Sequence, residues 1–437
     1  MFLKNALILS FPLLALTLRA EPTNVIEPFT AASDGGAGIA EPPAADGFER
    51  PPVLQADAIL RPPYLQSPSH TVDREVPTYL GRNSYTIRSP YGTFYAEGNY
   101  ELETRVREVQ AMGQLEELSK SDLYVEALKN AAKSPVQFAG DLARHPVKTV
   151  AGVPRGVFKF LDRAGHSIEE KVDGRPKNDY EDSSVQNAIG FSKAKRELCA
   201  QLGINPYTSN EALQKELNGL AWAVYAGKMT FSAALMPVGG TLGQVATGVN
   251  LSTTASQALR DLDPVDLREK NGKELREMGI APDVVARFLA HPAYSPVYQT
   301  ALVDALAKLS GVKGREALLA AANDASEEAD AIFFMRSASL MAQLHAQKPL
   351  ETITVIEGLP VCTRKDGGLV IPLEWDYACW SRSAAAFSDR VRASFKGRKP
   401  TGEIELAITG IASPRLRQEL ASRQIRLTEK ALPGPLR

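Results

Sequence analysis

The chain has 437 residues, a length that suits about two or three domains. Hydrophobic content of 44% and charged content of 23% are those of globular protein, so sizeable cores are within reach and disorder throughout is excluded. A net charge of −1 excludes a surface built as a whole to hold polyanions, and no specific nucleic-acid partner is expected.

Residues 1–20 carry the three parts of an export signal. Lys4 supplies the positive start, Ala6 to Leu18 is an uncharged apolar run, and small Ala20 precedes Glu21. A transmembrane anchor needs about 20 apolar residues, and this run falls short of that and contains Pro12. The first cysteine is Cys199, so no lipid-anchoring cysteine stands at the cleavage point. The expectation is a cleaved signal peptide and an exported protein, periplasmic or secreted.

Residues 21–77 are rich in Pro, Ala and Gly, with Glu41-Pro42-Pro43, Arg50-Pro51-Pro52 and Arg61-Pro62-Pro63. They read as a flexible or extended linker, because little periodic apolar pattern is present to offset ordering entropy. Residues 78–100 hold Tyr85, Ile87, Tyr91, Phe94, Tyr95 and Tyr100, an aromatic β-hairpin turning at Ser89-Pro90-Tyr91-Gly92. A row of tyrosines can face a carbohydrate, but cross-strand packing is the commoner use.

From 101 to 350 the apolar spacing is helical. Ser134-Pro135, Asp263-Pro264 and Ser295-Pro296 look like helix starts, where an oxygen caps free amides and Pro needs no N–H. Residues 351–437 change period. Ile353, Val355 and Ile356 begin a strand, and the Lys365-Asp366-Gly367-Gly368 turn joins two more. Further strands are expected at 403–409 and 425–428, with helices at 383–395 and from Ser413-Pro414. The fold class read from these patterns is mostly α: a helical body with a short N-terminal β-hairpin and a small, basic C-terminal α+β domain.

Several segments carry candidate chemistry. No charged residue occurs from Met229 to Leu259, and within this run lie Gly239, Gly240, Gly243 and Gly248. As a dinucleotide loop the spacing departs from G-x-G-x-x-G and lacks βαβ surroundings, so no cofactor is assigned. With Trp222 the segment 222–259 also reads as a membrane-inserting helical hairpin, or as a buried helical pair closed by small residues. The buried pair is favoured, since each half is marginal for a full crossing.

Lys148, Arg155, Lys159 and Arg163 recur at helical steps and could lie on a membrane surface, though Gly152 and Pro154 interrupt them. Asp162, His166, Glu169 and Glu170 could share one helix face. Zinc sites draw ligands from more than one element, so a charged surface helix is the simpler account and no metal is assigned. Of three cysteines, Cys362 and Cys379 are the disulfide candidates, provided a third strand folds back beside the first two. Cys199 reads as a buried small hydrophobe.

Towards the end of the chain Lys and Arg outnumber Asp and Glu. Arg390, Arg392, Lys396, Arg398, Lys399, Arg415 and Arg417 are the candidate contacts for an anionic partner, such as an envelope polymer or protein. There is no H-E-x-x-H, G-x-S-x-G, P-loop or C-x-x-C. The leading expectation is an exported, non-catalytic envelope or secreted protein acting through its C-terminal domain. The alternatives are a membrane-inserting secreted effector and an enzyme with dispersed site residues.

Overall fold

Long-range strand pairing, and not local composition, decides how the first described residues fold. The computed structural model describes residues 47–132, 190–227, 250–394 and 402–437. Strands β1 (Val53–Gln55), β2 (Gln66–Ser67), β3 (His70–Val72), β4 (Glu75–Tyr79), β5 (Arg82–Ser89) and β6 (Gly92–Glu97) form one antiparallel sheet. Two single-turn helices, α1 (Ala56–Ile59) and α2 (Pro62–Leu65), lie between β1 and β2.

The tether expected up to residue 77 is therefore folded over its second half. Pro62 and Pro63 begin α2, where a missing N–H costs nothing, and Val53 pairs with Pro77. Ala56, Leu60 and Val76 are fully buried. In β5 the alternating Asn83, Tyr85 and Ile87 point inward, and Ser89 pairs with Gly92 across the β5–β6 turn.

Helix α3 (Asn99–Ser119) lays Leu102 and Val106 on the inner face of this sheet, against Tyr85, Ile87 and Ala96. Its second half packs with α4 (Asp122–Ala132), α5 (Phe191–Leu202) and α6 (Glu211–Gly227) around Leu115, Leu198, Leu213 and Leu217. Six more helices follow. They are α7 (Thr253–Asp261), α8 (Pro264–Glu277), α9 (Pro282–Leu289), α10 (Pro296–Lys308), α11 (Arg315–Ala322) and α12 (Glu328–Gln347). Helices α10 and α12 are the spine of the largest core, through Leu302, Leu306, Met335 and Leu340.

The remaining elements are β7 (Leu350–Ile356), β8 (Leu359–Arg364), β9 (Leu369–Leu373), β10 (Tyr377–Ala378), α13 (Arg382–Ser394), β11 (Ile404–Ile408), β12 (Ile411–Ala412), α14 (Pro414–Ser422) and β13 (Ile425–Thr428). They form a five-stranded mixed sheet in the order β13-β11-β9-β8-β7, parallel from β9 through β11 to β13. A small parallel pair, β10 with β12, lies beside it. Both faces of the larger sheet are covered. Cys362, Val370 and Ala407 join the helical core, while Val361, Ile371 and Ile408 pack with Phe387, Val391, Leu416 and Leu420 of α13 and α14. Double coverage explains why β9 is buried at every position instead of alternating.

The mostly α reading is thus corrected. Among the described residues the protein is 52% helical and 21% strand, with three sheets, a six-stranded antiparallel one near the start and a five-stranded mixed one near the end. Strands of two to five residues in the first sheet are too short to display a period, which is why composition alone suggested a tether and one hairpin.

Candidate functional site

The two large sheets meet at a seam built around Asp376, in the link between β9 and β10. Its carboxylate is buried and accepts backbone N–H groups from two distant elements: Asn83 of β5 to Oδ2 and Asn99 of α3 to Oδ1, each at 3.0 Å. Its own N–H donates to the Gly81 carbonyl at 2.7 Å. The approach is tight on both sides. A Cβ on Gly81 would stand 2.8 Å from Trp375 Cδ1, and one on Gly410 would collide with the Asp376 carbonyl.

A second acid, Glu374, is buried two residues earlier. Arg336 of α12 serves it, with Nε donating to Glu374 Oε2 at 3.4 Å and the guanidinium 5.1 Å from the Tyr100 ring centre. Behind the carboxylate, Tyr85 Oη donates to Asn99 Oδ1 at 2.5 Å, and Asn83 Nδ2 donates to Tyr85 Oη at 3.0 Å. Asn83 Oδ1 is buried with no hydrogen-bond partner. Burial, then the neighbouring charge of Glu374, pushes the Asp376 carboxyl up to about 7, against the pull of the two N–H donors and Arg336.

Asn99, Tyr100, Glu103, Arg336, Glu374 and Thr409 line a half-open cleft of about 30 Å3, roofed by residues 430–436. That is room for a few waters at most. The roof is fastened to the first sheet's flank: Arg61 N–H donates to the Pro435 carbonyl and Arg437 N–H to the Ile59 carbonyl, each at 2.9 Å.

A second charged network ties α3 to the helical body. Arg105 donates to Glu101 and Glu108 at 2.9 Å and to Ser209 at 2.7 Å, while Glu328 accepts from Ser209 and Tyr298. Burial, reinforced by Glu328, raises Glu101 to about 7 although Arg105 opposes it.

The expected anion contacts are distributed over α13, α14 and undescribed residues. Half-exposed Arg390, Arg415 and Arg417 pair with Glu357 at 2.5 Å, Glu419 at 2.5 Å and Glu429 at 2.7 Å. Arg392 donates to the Arg423 carbonyl at 3.5 Å, and Arg423 also pairs with Glu419. Lys396, Arg398 and Lys399 lie outside the described residues. The chain thus brings Arg392, Arg415 and Arg423 to the region of Glu419, and directs Arg390 and Arg417 elsewhere.

Other expectations resolve variously. Cys362 and Cys379 are unbonded, because β10 pairs with β12 and does not fold back beside β8. Cys362 is in the helical core and its thiol is pushed up to about 12 by burial. Cys379 is pushed up to about 11 by burial and by Glu49. Cys199 is buried in α5, its thiol likewise raised to about 12 by burial. Trp222 lies in α6, whereas Gly239, Gly240, Gly243 and Gly248 fall outside the described residues. So do the basic segment from Lys148 to Arg163 and the set Asp162, His166, Glu169 and Glu170. Among the described residues no helix is long and apolar enough to cross a membrane.

Sequence reasoning passed over the seam. Its one signal was the acidic pair Glu374 and Asp376 inside an otherwise apolar run from Leu369 to Trp380. No family model, no curated protein and no solved structure matches this chain.

Proposed function

We propose that this is an exported, non-catalytic envelope or secreted protein whose C-terminal α+β region contacts an anionic partner. Export rests on residues 1–20, whose charged start, apolar run and small residue before Glu21 suit a cleaved signal. The contact rests on the sharing of Glu419: Arg415 and Arg423 both pair with it, and Arg392 reaches the Arg423 carbonyl beside it. One carboxylate cannot neutralise that group, so the face of α14 that carries Glu419 keeps an excess of positive charge. Exposed ion pairs of this kind contribute only about 0–1 kcal/mol each, and a half-exposed guanidinium can turn to a second anion at little cost. The buried charges support a structural use as well. Asp376, Glu374 and Arg336 are engaged in joining β5, α3 and α12 to the C-terminal sheet.

The test is co-sedimentation of the full mature chain with dextran sulfate at low and high salt, beside the double variant Arg392→Glu/Arg415→Glu. Binding at low salt that weakens with salt and falls several-fold in the variant is expected. Absent binding at low salt, or binding indifferent to both changes, overturns the reading. The export part is checked separately, by an exported species whose first residue is Glu21.

A further inference from the structure

At the seam two carboxylates share one guanidinium. Asp376 and Glu374 are both buried, and Arg336 is the cation that reaches them, through Glu374 Oε2. The groups facing them from the other packed elements do not make up the deficit. Tyr85 of β5 spends its hydroxyl on Asn99, Tyr100 of α3 lies under Arg336, and Glu103 of α3, on the cleft wall, is offset by Arg107 at 3.9 Å. Lys430, on the roof segment, donates its ammonium to the Arg437 carbonyl. Two like charges in one low-dielectric site disfavour double ionisation, so the closed arrangement favours holding a proton.

Two observations show where that proton would be used. Asp376 fastens both the Leu80–Gly81 turn, with help from the Tyr377 N–H at 3.3 Å, and the first turn of α3, through Gly81 O, Asn83 N–H and Asn99 N–H. Asn83, whose N–H Asp376 accepts, is fully buried and its Oδ1 has no hydrogen bond, and a protonated carboxyl is a donor of the kind it lacks.

We propose that this seam is a proton-operated lock. With one proton held between Asp376 and Glu374, the Leu80–Gly81 turn and the start of α3 stay fastened to the C-terminal sheet. Loss of that proton to solvent leaves two buried carboxylates on one guanidinium and loosens both attachments. The carboxyl of Asp376, raised to about 7 in the closed arrangement, lets the fastening weaken as pH climbs from the ordinary carboxylate range and completes the change near neutral pH.

The test is hydrogen exchange read by mass spectrometry on the full mature chain from pH 4.5 to 8.5, with intrinsic rates corrected. Protection of peptides covering 80–100 is compared with that of α10 as an internal reference. In the wild type, seam protection is expected to fall by up to about tenfold per pH unit, the slope for one proton, from the ordinary carboxylate range up to about 7 and to level off above it, while α10 stays flat. Glu374→Gln removes the competing charge and leaves Arg336 to Asp376, so its seam protection should fall less with pH and level off at a lower pH than in the wild type. Asp376→Asn has no charge to lose; it forfeits one N–H acceptor and should show uniformly lower, pH-independent protection. A wild-type seam as flat as α10 overturns the proposal. So does a pH slope that persists unchanged in whichever of the two variants folds.

Discussion

Leu80 has a backbone φ of 48° although 74% of it is exposed, so strain is held there without burial in return. It occupies the first position of the two-residue turn between paired Tyr79 and Arg82, and Gly81 follows at φ 84°. Positive φ at both positions is the type I′ pattern, which favours Asn-Gly. A left-handed L-residue costs about 1 kcal/mol, so Leu80→Asn should raise stability by about 0.5–1 kcal/mol in a urea titration. A lower midpoint would mean that the leucine side chain packs on something essential. Gly81 tolerates no such exchange, because its missing Cβ makes room for Trp375. At this scale the sequence hides the seam for a plain reason. Asn83 and Asn99 bind Asp376 through backbone amides, which every residue except proline carries, so no residue type advertises the contact.

Elements whose signals are local were the legible ones. Asp263 accepts N–H groups from Val265 and Asp266, both at 2.9 Å, and Pro264 opens α8 behind it. Ser295 caps α10 in the same manner, accepting from Tyr298 N–H at 3.3 Å. These bonds span two or three residues, so the sequence window contains the whole cause. Asp263→Ala should therefore destabilise the protein by about 1 kcal/mol, read as a lower urea midpoint with an unchanged slope. The first sheet follows the opposite logic. Leu60 bridges to Leu436, β1 and β4 meet across the intervening α1, α2, β2 and β3, and β2 has only two residues. None of these partners is visible from its neighbours along the chain, and prolines that open a helix look the same as prolines that stiffen a linker. The missing disulfide has the same origin. Two cysteines on adjacent stretches suggested a bridge, but β10 was recruited by β12 from beyond α13.

For the molecule as a whole, the buried acids set a direction for stability against pH. Asp376 and Glu101 both stand near 7 in the folded protein, each raised chiefly by burial, and in the unfolded chain each returns to the ordinary carboxylate range. Between those limits the folded state binds more protons than the unfolded one, so stability is fullest below the unfolded values and declines as pH climbs towards 7. Other acids act in the reverse sense at lower pH. Against the opposing effect of burial, hydrogen bonds from Thr428 and Arg426 hold Glu405 below its usual value, and Arg82 and Ser326 do the same for Asp330. Their contribution is lost as pH falls through those depressed values. The two trends leave a maximum on the acid side of neutral. Calorimetry of the mature chain should accordingly give a higher Tm near pH 5.5 than near pH 8. Glu101→Gln should narrow that gap, because the amide keeps an acceptor for Arg105 and has no proton to release. A Tm that rises steadily from pH 5.5 to 8 would mean that Asp376 and Glu101 are ionised in the folded protein across that range, with Arg336 and Arg105 outweighing burial.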